Sequence, residues 1–213
     1  MVLILPIKSG AHWAPVALPD YATSLQGTDL AAGCRLKNLS NLMQPAIVKH
    51  AVWEIDQATA LLNIKTALQA FGGQPHFEID GVRQDLDDEW LEVAIRVNAA
   101  MLRGYRSYAE GLDPESLDAY PAWELIQIEI GSEPYDWNAR WTKSGGQVFS
   151  GRMIALRNDP VWLRISDFGH PHPPFAFESS MNVKDISRIE AVELKLTDWR
   201  SEIKLSPCPI CNV

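Results

Sequence analysis

The spacing of apolar residues changes once along this chain, and the change divides its predicted elements into two groups. Between Pro45 and Phe71, the apolar positions Ile47, Val48, Ala51, Val52, Ile55, Ala58, Leu61, Leu62, Leu68 and Phe71 recur every three or four residues. That spacing predicts one long helix with a broad buried face. Pro45 suits a first helical position and Gly72-Gly73 a stop. A second helix is predicted over 86–109, with an apolar stripe of Leu86, Trp90, Val93, Ala94, Val97, Met101, Leu102, Tyr105 and Tyr108. Asp87, Asp88 and Glu89 crowd its first turn, where the helix dipole favours negative charge. Between the two, Phe77 and Ile79 alternate with polar neighbours beside Asp80-Gly81, the pattern of a short hairpin over 74–84.

After Pro114 and Pro121 the period drops to two. Ile126, Ile128 and Ile130 fall on one face of a strand over 123–130, with Gln127 and Glu129 on the other. A short helix over 136–143 carries Trp137 and Trp141 one turn apart. A strand is expected over 148–157. Asp159-Pro160 opens a short helix bearing Val161, Trp162 and Ile165. Ser187 and Glu190 have the spacing of a capping box at the start of a further helix. Residues 1–44 are punctuated by Pro6, Gly10, Pro15, Pro19, Gly27 and Gly33. They read as an irregular N-terminal arm with one short strand at 2–7, either hugging its own surface or docked on a neighbouring subunit.

The expected fold class is therefore α+β. A helical first half with two long amphipathic helices (45–111) is followed by a small antiparallel sheet with short helices (112–213). The two parts are read as one compact domain with a soft break near 112–121. The length of 213 residues, with 46% hydrophobic and 22% charged residues, is ample for a buried core. A net charge of −8 and the lack of a Lys/Arg run argue against nucleic acid or an anionic membrane as a direct partner. No apolar run approaches the ~20 residues of a membrane span. Three cysteines, an odd number without a disulfide framework, point to a reducing compartment.

Four residues carry the clearest candidate chemistry. Cys208-Pro209-Ile210-Cys211 is a CxxC pair near the end of the sequence given, and structural zinc needs two more ligands. His170 and His172 could supply them, because residues two apart on an extended segment share a face. The competing reading is a loose dithiol and two Pro-flanked surface histidines, with no cofactor. His76, Glu78 and Arg83 on the hairpin form an acid–base and phosphate-binding set of the kind small ribonucleases use, against the reading of ordinary solvated residues. Cys34 has no readable base partner. No nucleophile elbow, Walker loop, dinucleotide fingerprint or EF-hand is present.

Four segments, taken in order, resemble the C-terminal region of phage Mu F-like minor head (head morphogenesis) proteins. They are Ile95–Tyr105 with its central Asn98, Trp123-Glu124-Leu125, Gly151–Trp162 with its Asp-Pro-x-Trp turn, and Pro173–Met181 with its Pro-Pro-aromatic start. Two features of that family are missing. Asp136-Trp137 to Trp141 stands where many members carry Arg-x-x-His, and Phe177–Met181 holds no cysteine where many carry Trp-Gly-Cys-Arg-Cys. The resemblance implies a structural protein that binds portal, scaffold or capsid subunits, in the host cytoplasm and then the virion, rather than an enzyme. It says nothing of residues 1–90. Aromatic anchors are enriched at interface cores, so Trp123, Trp137, Trp141, Trp162, Phe175 and Phe177 are the candidate interface residues, with core filling as the competing reading. A homo-oligomer is consistent with either.

Overall fold

The computed structural model describes residues 3–9, 12–17, 30–70, 76–79, 82–128 and 135–205. The fold is α+β, as the change of period implies. The chain forms two compact units, Met1–Arg103 and Gly104–Val213, which divide within a helix rather than at 112–121.

In the first unit, β1 (Ile4–Ser9) and β2 (His12–Ala17) form an antiparallel hairpin, so these residues are not the irregular arm that their prolines suggest, while 18–29 of the expected arm lie outside the described residues. Pro6 and Pro15 sit opposite each other in the register. In a two-stranded sheet each strand has a free edge, where a residue without an N–H breaks no ladder bond. Helix α1 (Leu30–Ala51) starts far earlier than Pro45, which lies in its interior, and α2 (Gln57–Ala70) follows it after a turn. The single helix expected over 45–71 is thus two helices. Strands β3 (His76–Ile79) and β4 (Val82–Asp85) form the expected hairpin, whose Asp80-Gly81 turn lies outside the described residues. Helix α3 (Asp88–Glu110) begins within two residues of its predicted start. Asp87 caps it by accepting the Trp90 N–H at 2.8 Å.

The core of this unit is aliphatic. Leu3, Leu5, Met43, Ile47, Ala60, Ile64, Leu91, Ala94 and Ile95 surround one tryptophan, Trp90. The buried Asn98 amide holds β1 to α3, accepting from Ile4 N–H and donating to Ile4 O, both at 2.8 Å.

The second unit contains α4 (Pro114–Ala119), β5 (Ala122–Gln127), α5 (Trp137–Lys143), β6 (Val148–Phe149), β7 (Arg152–Leu156), α6 (Val161–Arg164), β8 (Met181–Ile186) and α7 (Arg188–Glu193). The strands form one antiparallel sheet in the order β6-β7-β5-β8. The strand expected over 148–157 is a hairpin, because Ser150 and Gly151 both adopt positive φ (51° and 83°) and turn the chain tightly. The register places Trp123, Leu125, Met153, Ala155 and Val183 on one face, and Ala122, Glu124, Ile154, Leu156 and Ile186 on the other. The isoleucine face expected of β5 is corrected on this point. Ile128 is 57% exposed, while Trp123 and Leu125 are buried.

Helix α7 covers the second face, with Ala191 against Ala122, Ile154 and Ile186. Ser187 caps it as the capping-box spacing predicts, accepting Glu190 N–H at 3.3 Å. The Glu190 carboxylate turns instead to Arg152, which also forms a two-bond pair with Glu124 and so clamps α7 to β5. That pairing raises the Arg152 pKa and lowers that of Glu124. On the edge strand β8, the Met181 and Val183 N–H groups are taken by Ser179 Oγ and Asn182 Oδ1, which partly caps it against further strand pairing.

Candidate functional site

The face of the sheet opposite α7 carries most of the residues that the sequence marks for chemistry or binding. Trp123 projects from β5 and Trp162 from α6, their rings meeting edge to face at 5.6 Å. Trp141 meets Trp162 at 5.2 Å, and Phe175 stacks on Trp162 at 6.0 Å. Trp137 meets Phe175 edge-on at 6.4 Å. Such offset and edge-on pairs suit the ring quadrupole. Three of the indole N–H groups donate at 2.8–2.9 Å: Trp123 to Asp185, Trp141 to Gln147 O and Trp162 to Leu156 O. Gly146 is required beside them, since a Cβ there would lie 2.3 Å from the Trp141 ring.

All six candidate interface residues are buried: Trp123, Trp137, Trp141, Trp162, Phe175 and Phe177 are at most 4% exposed. The expectation that they anchor a partner is therefore corrected. Short elements cannot supply enough aliphatic surface for a core, and large rings fill the space instead.

From this core the loop 168–177 runs across the end of the unit as a column of rings. Phe177 meets Phe168 at 5.0 Å, Phe168 stacks on His170 at 5.6 Å, and His170 stacks on His172 at 4.1 Å with planes 7° apart. His172 in turn packs against Tyr105 and Tyr108 of α3. Both histidines are buried, at 4% and 1% exposure, which corrects the reading of two surface histidines. Gly104 allows the approach, because a Cβ there would sit 1.8 Å from Pro173 O.

The tautomers follow from the partners. His170 Nδ1 lies 2.8 Å from His172 O and His172 Nδ1 3.0 Å from Pro173 O. Each Nδ1 therefore carries the hydrogen and donates it to a carbonyl. The His170 Nε2 lone pair is buried without a hydrogen-bond partner among the described residues. Burial, with a smaller contribution from His172, pushes the His170 pKa down to about 3, so it is neutral at physiological pH.

This arrangement does not make the predicted chelate. An imidazole nitrogen binds a metal in the plane of its ring, and two nearly parallel stacked rings have no common point for one ion. Cys208 and Cys211 lie outside the described residues, as does the side chain of Cys34. Among the described residues no group of three or more His, Cys, Asp and Glu is placed to hold a metal. The HxH spacing does put both rings on one side, but as a stack.

On the β3–β4 hairpin, the register pairs Glu78 with Arg83 and His76 with Asp85. His76 is exposed, and Arg83 Nε donates to Asp85 at 2.9 Å. Two buried arginines escaped the sequence reading. Arg157 follows β7, lies over the Trp123 ring at 4.4 Å and donates to Gly111 O at the end of α3. Burial lowers its pKa. Arg188 donates to the carbonyls of Asp118, Asp198 and Ser201 and pairs with the Asp118 carboxylate. Arg188 occupies the first position of a capped helix, an exposed setting in most helices, and nothing in its spacing signals burial.

Comparisons with protein-family models, curated proteins and solved structures found no match to this chain. No helix among the described residues is long and apolar enough to cross a membrane.

Proposed function

We propose that this chain is a structural protein of a phage or prophage head that binds portal, scaffold or capsid subunits, and not an enzyme. The observation that carries this reading is the mutual packing of the segments that resemble the Mu F-like family. Gly104 and Tyr105 lie against His172 and Pro173, β5 pairs with β7, and Trp123 meets Trp162, which stacks on Phe175. The last three segments and the end of the first (Gly104, Tyr105) surround one another, while Asn98 at the centre of the first binds Ile4 of β1.

The decisive experiment is mass spectrometry of particles induced from the source strain. The chain is expected in purified heads or procapsids at a fixed ratio to the portal protein, and its absence from both overturns the reading. Light scattering with zinc analysis on the purified chain adds a second arm, a zinc-free oligomer being the expected result. The competing nuclease reading rests on one observation, the hairpin register that puts His76, Glu78 and Arg83 on a single face. RNA cleavage by the purified chain, abolished by His76→Ala, would replace the assembly reading with that one.

A further inference from the structure

The turn that splits the expected long helix carries the most exposed large apolar side chain among the described residues. Trp53 is 75% exposed, and Val52 beside it is 52% exposed. Helix α1 ends there with two closing bonds: Trp53 N–H donates to His50 O at 3.1 Å and Glu54 N–H to Lys49 O at 2.9 Å. Such an end needs a residue of left-handed conformation, and glycine normally supplies it because a Cβ is disfavoured there. Here Trp53 adopts it, at φ 63°. The fold would be better served by glycine at this position, because the exposed indole buries little and strains the backbone.

The electrostatics of the turn are equally one-sided. The Arg103 guanidinium lies 4.7 Å from the centre of the Trp53 ring, and its Nη1 is buried with no hydrogen-bond partner among the described residues. The other charged side chains of the turn satisfy each other, Lys49 pairing with Glu54 at 3.3 Å. His50 meets the Trp53 ring at 6.3 Å and turns its Nδ1 to Ile55 O. The turn is thus an apolar surface backed by a positive charge that no described residue compensates, in a chain of net charge −8.

We propose that Trp53, Val52 and Arg103 form a docking site for a short acidic segment of a partner protein, with a carboxylate directed toward Arg103 and a neighbouring aliphatic side chain on the exposed indole. Backbone strain retained at an exposed aromatic residue is what a binding role explains and a packing role does not. The uncompensated guanidinium selects the sign of the partner. The site lies in the first unit; Arg103 belongs to the Ile95–Tyr105 segment that the phage reading also uses, but the docking argument draws only on its charge and its place beside Trp53 and does not rest on that reading.

The test is selection of a yeast-displayed library of random 12-residue peptides on the full chain, followed by affinity measurement at low and high salt. Enrichment of Asp or Glu next to Leu, Ile or Phe is expected. Binding of the enriched peptides should fall about tenfold or more in Trp53→Gly and in Arg103→Gln, the loss typical of an interface anchor. Glycine suits the backbone at position 53, so an unchanged or raised melting temperature certifies that variant. Peptides without acidic residues, no enrichment, or equal binding to both variants would overturn the proposal. A dimer of the chain that Trp53→Gly dissolves would overturn it too, by assigning the surface to a second copy.

Discussion

The two units solve the same packing problem with different side chains. The first is filled by Leu, Ile, Met and Ala around one tryptophan, and its buried polar anchor is the neutral amide of Asn98. The second is filled by interlocking rings, and its polar anchors are indole N–H groups and arginines that close on backbone carbonyls. Long helices bring enough aliphatic surface to make a core by area alone. A small sheet with helices of four to seven residues does not, and relies on large rings whose pair geometry and polar edges are specific. The aliphatic core should tolerate repacking, and the aromatic one should not.

Trp162→Ala should have the largest effect. It removes a fully buried ring that touches Trp123, Trp141 and Phe175, and it takes from Leu156 O one of its two donors, leaving the Asp159 N–H. We expect a loss of about 3–5 kcal/mol in urea unfolding. Hydrogen exchange should report lost protection in the amides of β5, β7 and β8, while those of α1 and α2 keep theirs. Uniform loss over both units would break the comparison.

A fall in pH should also act on one unit. The folded pKa of His170 lies at about 3, below its ordinary value of 6.5. The unfolded chain therefore binds this proton more readily than the folded one, so the stabilisation is complete above pH 6.5 and is lost as pH falls toward 3. At pH 4.5 the loss is about 2–3 kcal/mol relative to neutral pH. The readout is the slope of stability against pH: His170→Phe should flatten it between pH 6.5 and 4. An unchanged slope in that variant would mean that the column 168–172 opens before the proton arrives.

Gly104→Ala sharpens the contrast, because on an exposed helix the change stabilises by about 1 kcal/mol. At this position the added carbon meets the Pro173 carbonyl, and the backbone of the loop must move. We expect a net loss of about 1–3 kcal/mol by chemical denaturation. A gain would show that the loop yields freely.

The difference between the units also governs what the sequence reveals. Helix α3 was legible because its apolar stripe and acidic first turn are both local signals. The β3–β4 hairpin and α5 were legible for the same reason, through alternation beside Asp80-Gly81 and through Trp137 and Trp141 one turn apart. The break between α1 and α2 was hidden because Val52 and Ile55 continue the helical spacing and no glycine marks the end. The β1–β2 hairpin was hidden because its prolines read as loop residues. In the second unit the tryptophans were plain, but alternation along β5 cannot say which face is covered, and Ile128 was assigned to the wrong one. The HxH spacing correctly places two rings together and is silent on whether they stack or converge.

The smallest expected effect concerns Trp53, where two terms oppose each other. Replacement by alanine keeps a Cβ in the left-handed region and removes the Arg103 stack. Replacement by glycine removes the stack as well, and relieves the backbone. The ring and its stack on Arg103 are absent from both variants, so the difference between them measures the conformational term alone. That term is about 1–2 kcal/mol in favour of glycine. The stack is worth about 0.5–1 kcal/mol at an exposed site. Trp53→Gly should therefore match or exceed the parent chain in thermal stability, and Trp53→Ala should fall below it. If both variants were less stable than the parent by the same amount, the left-handed turn would carry no strain, and Trp53 would be held by its own packing.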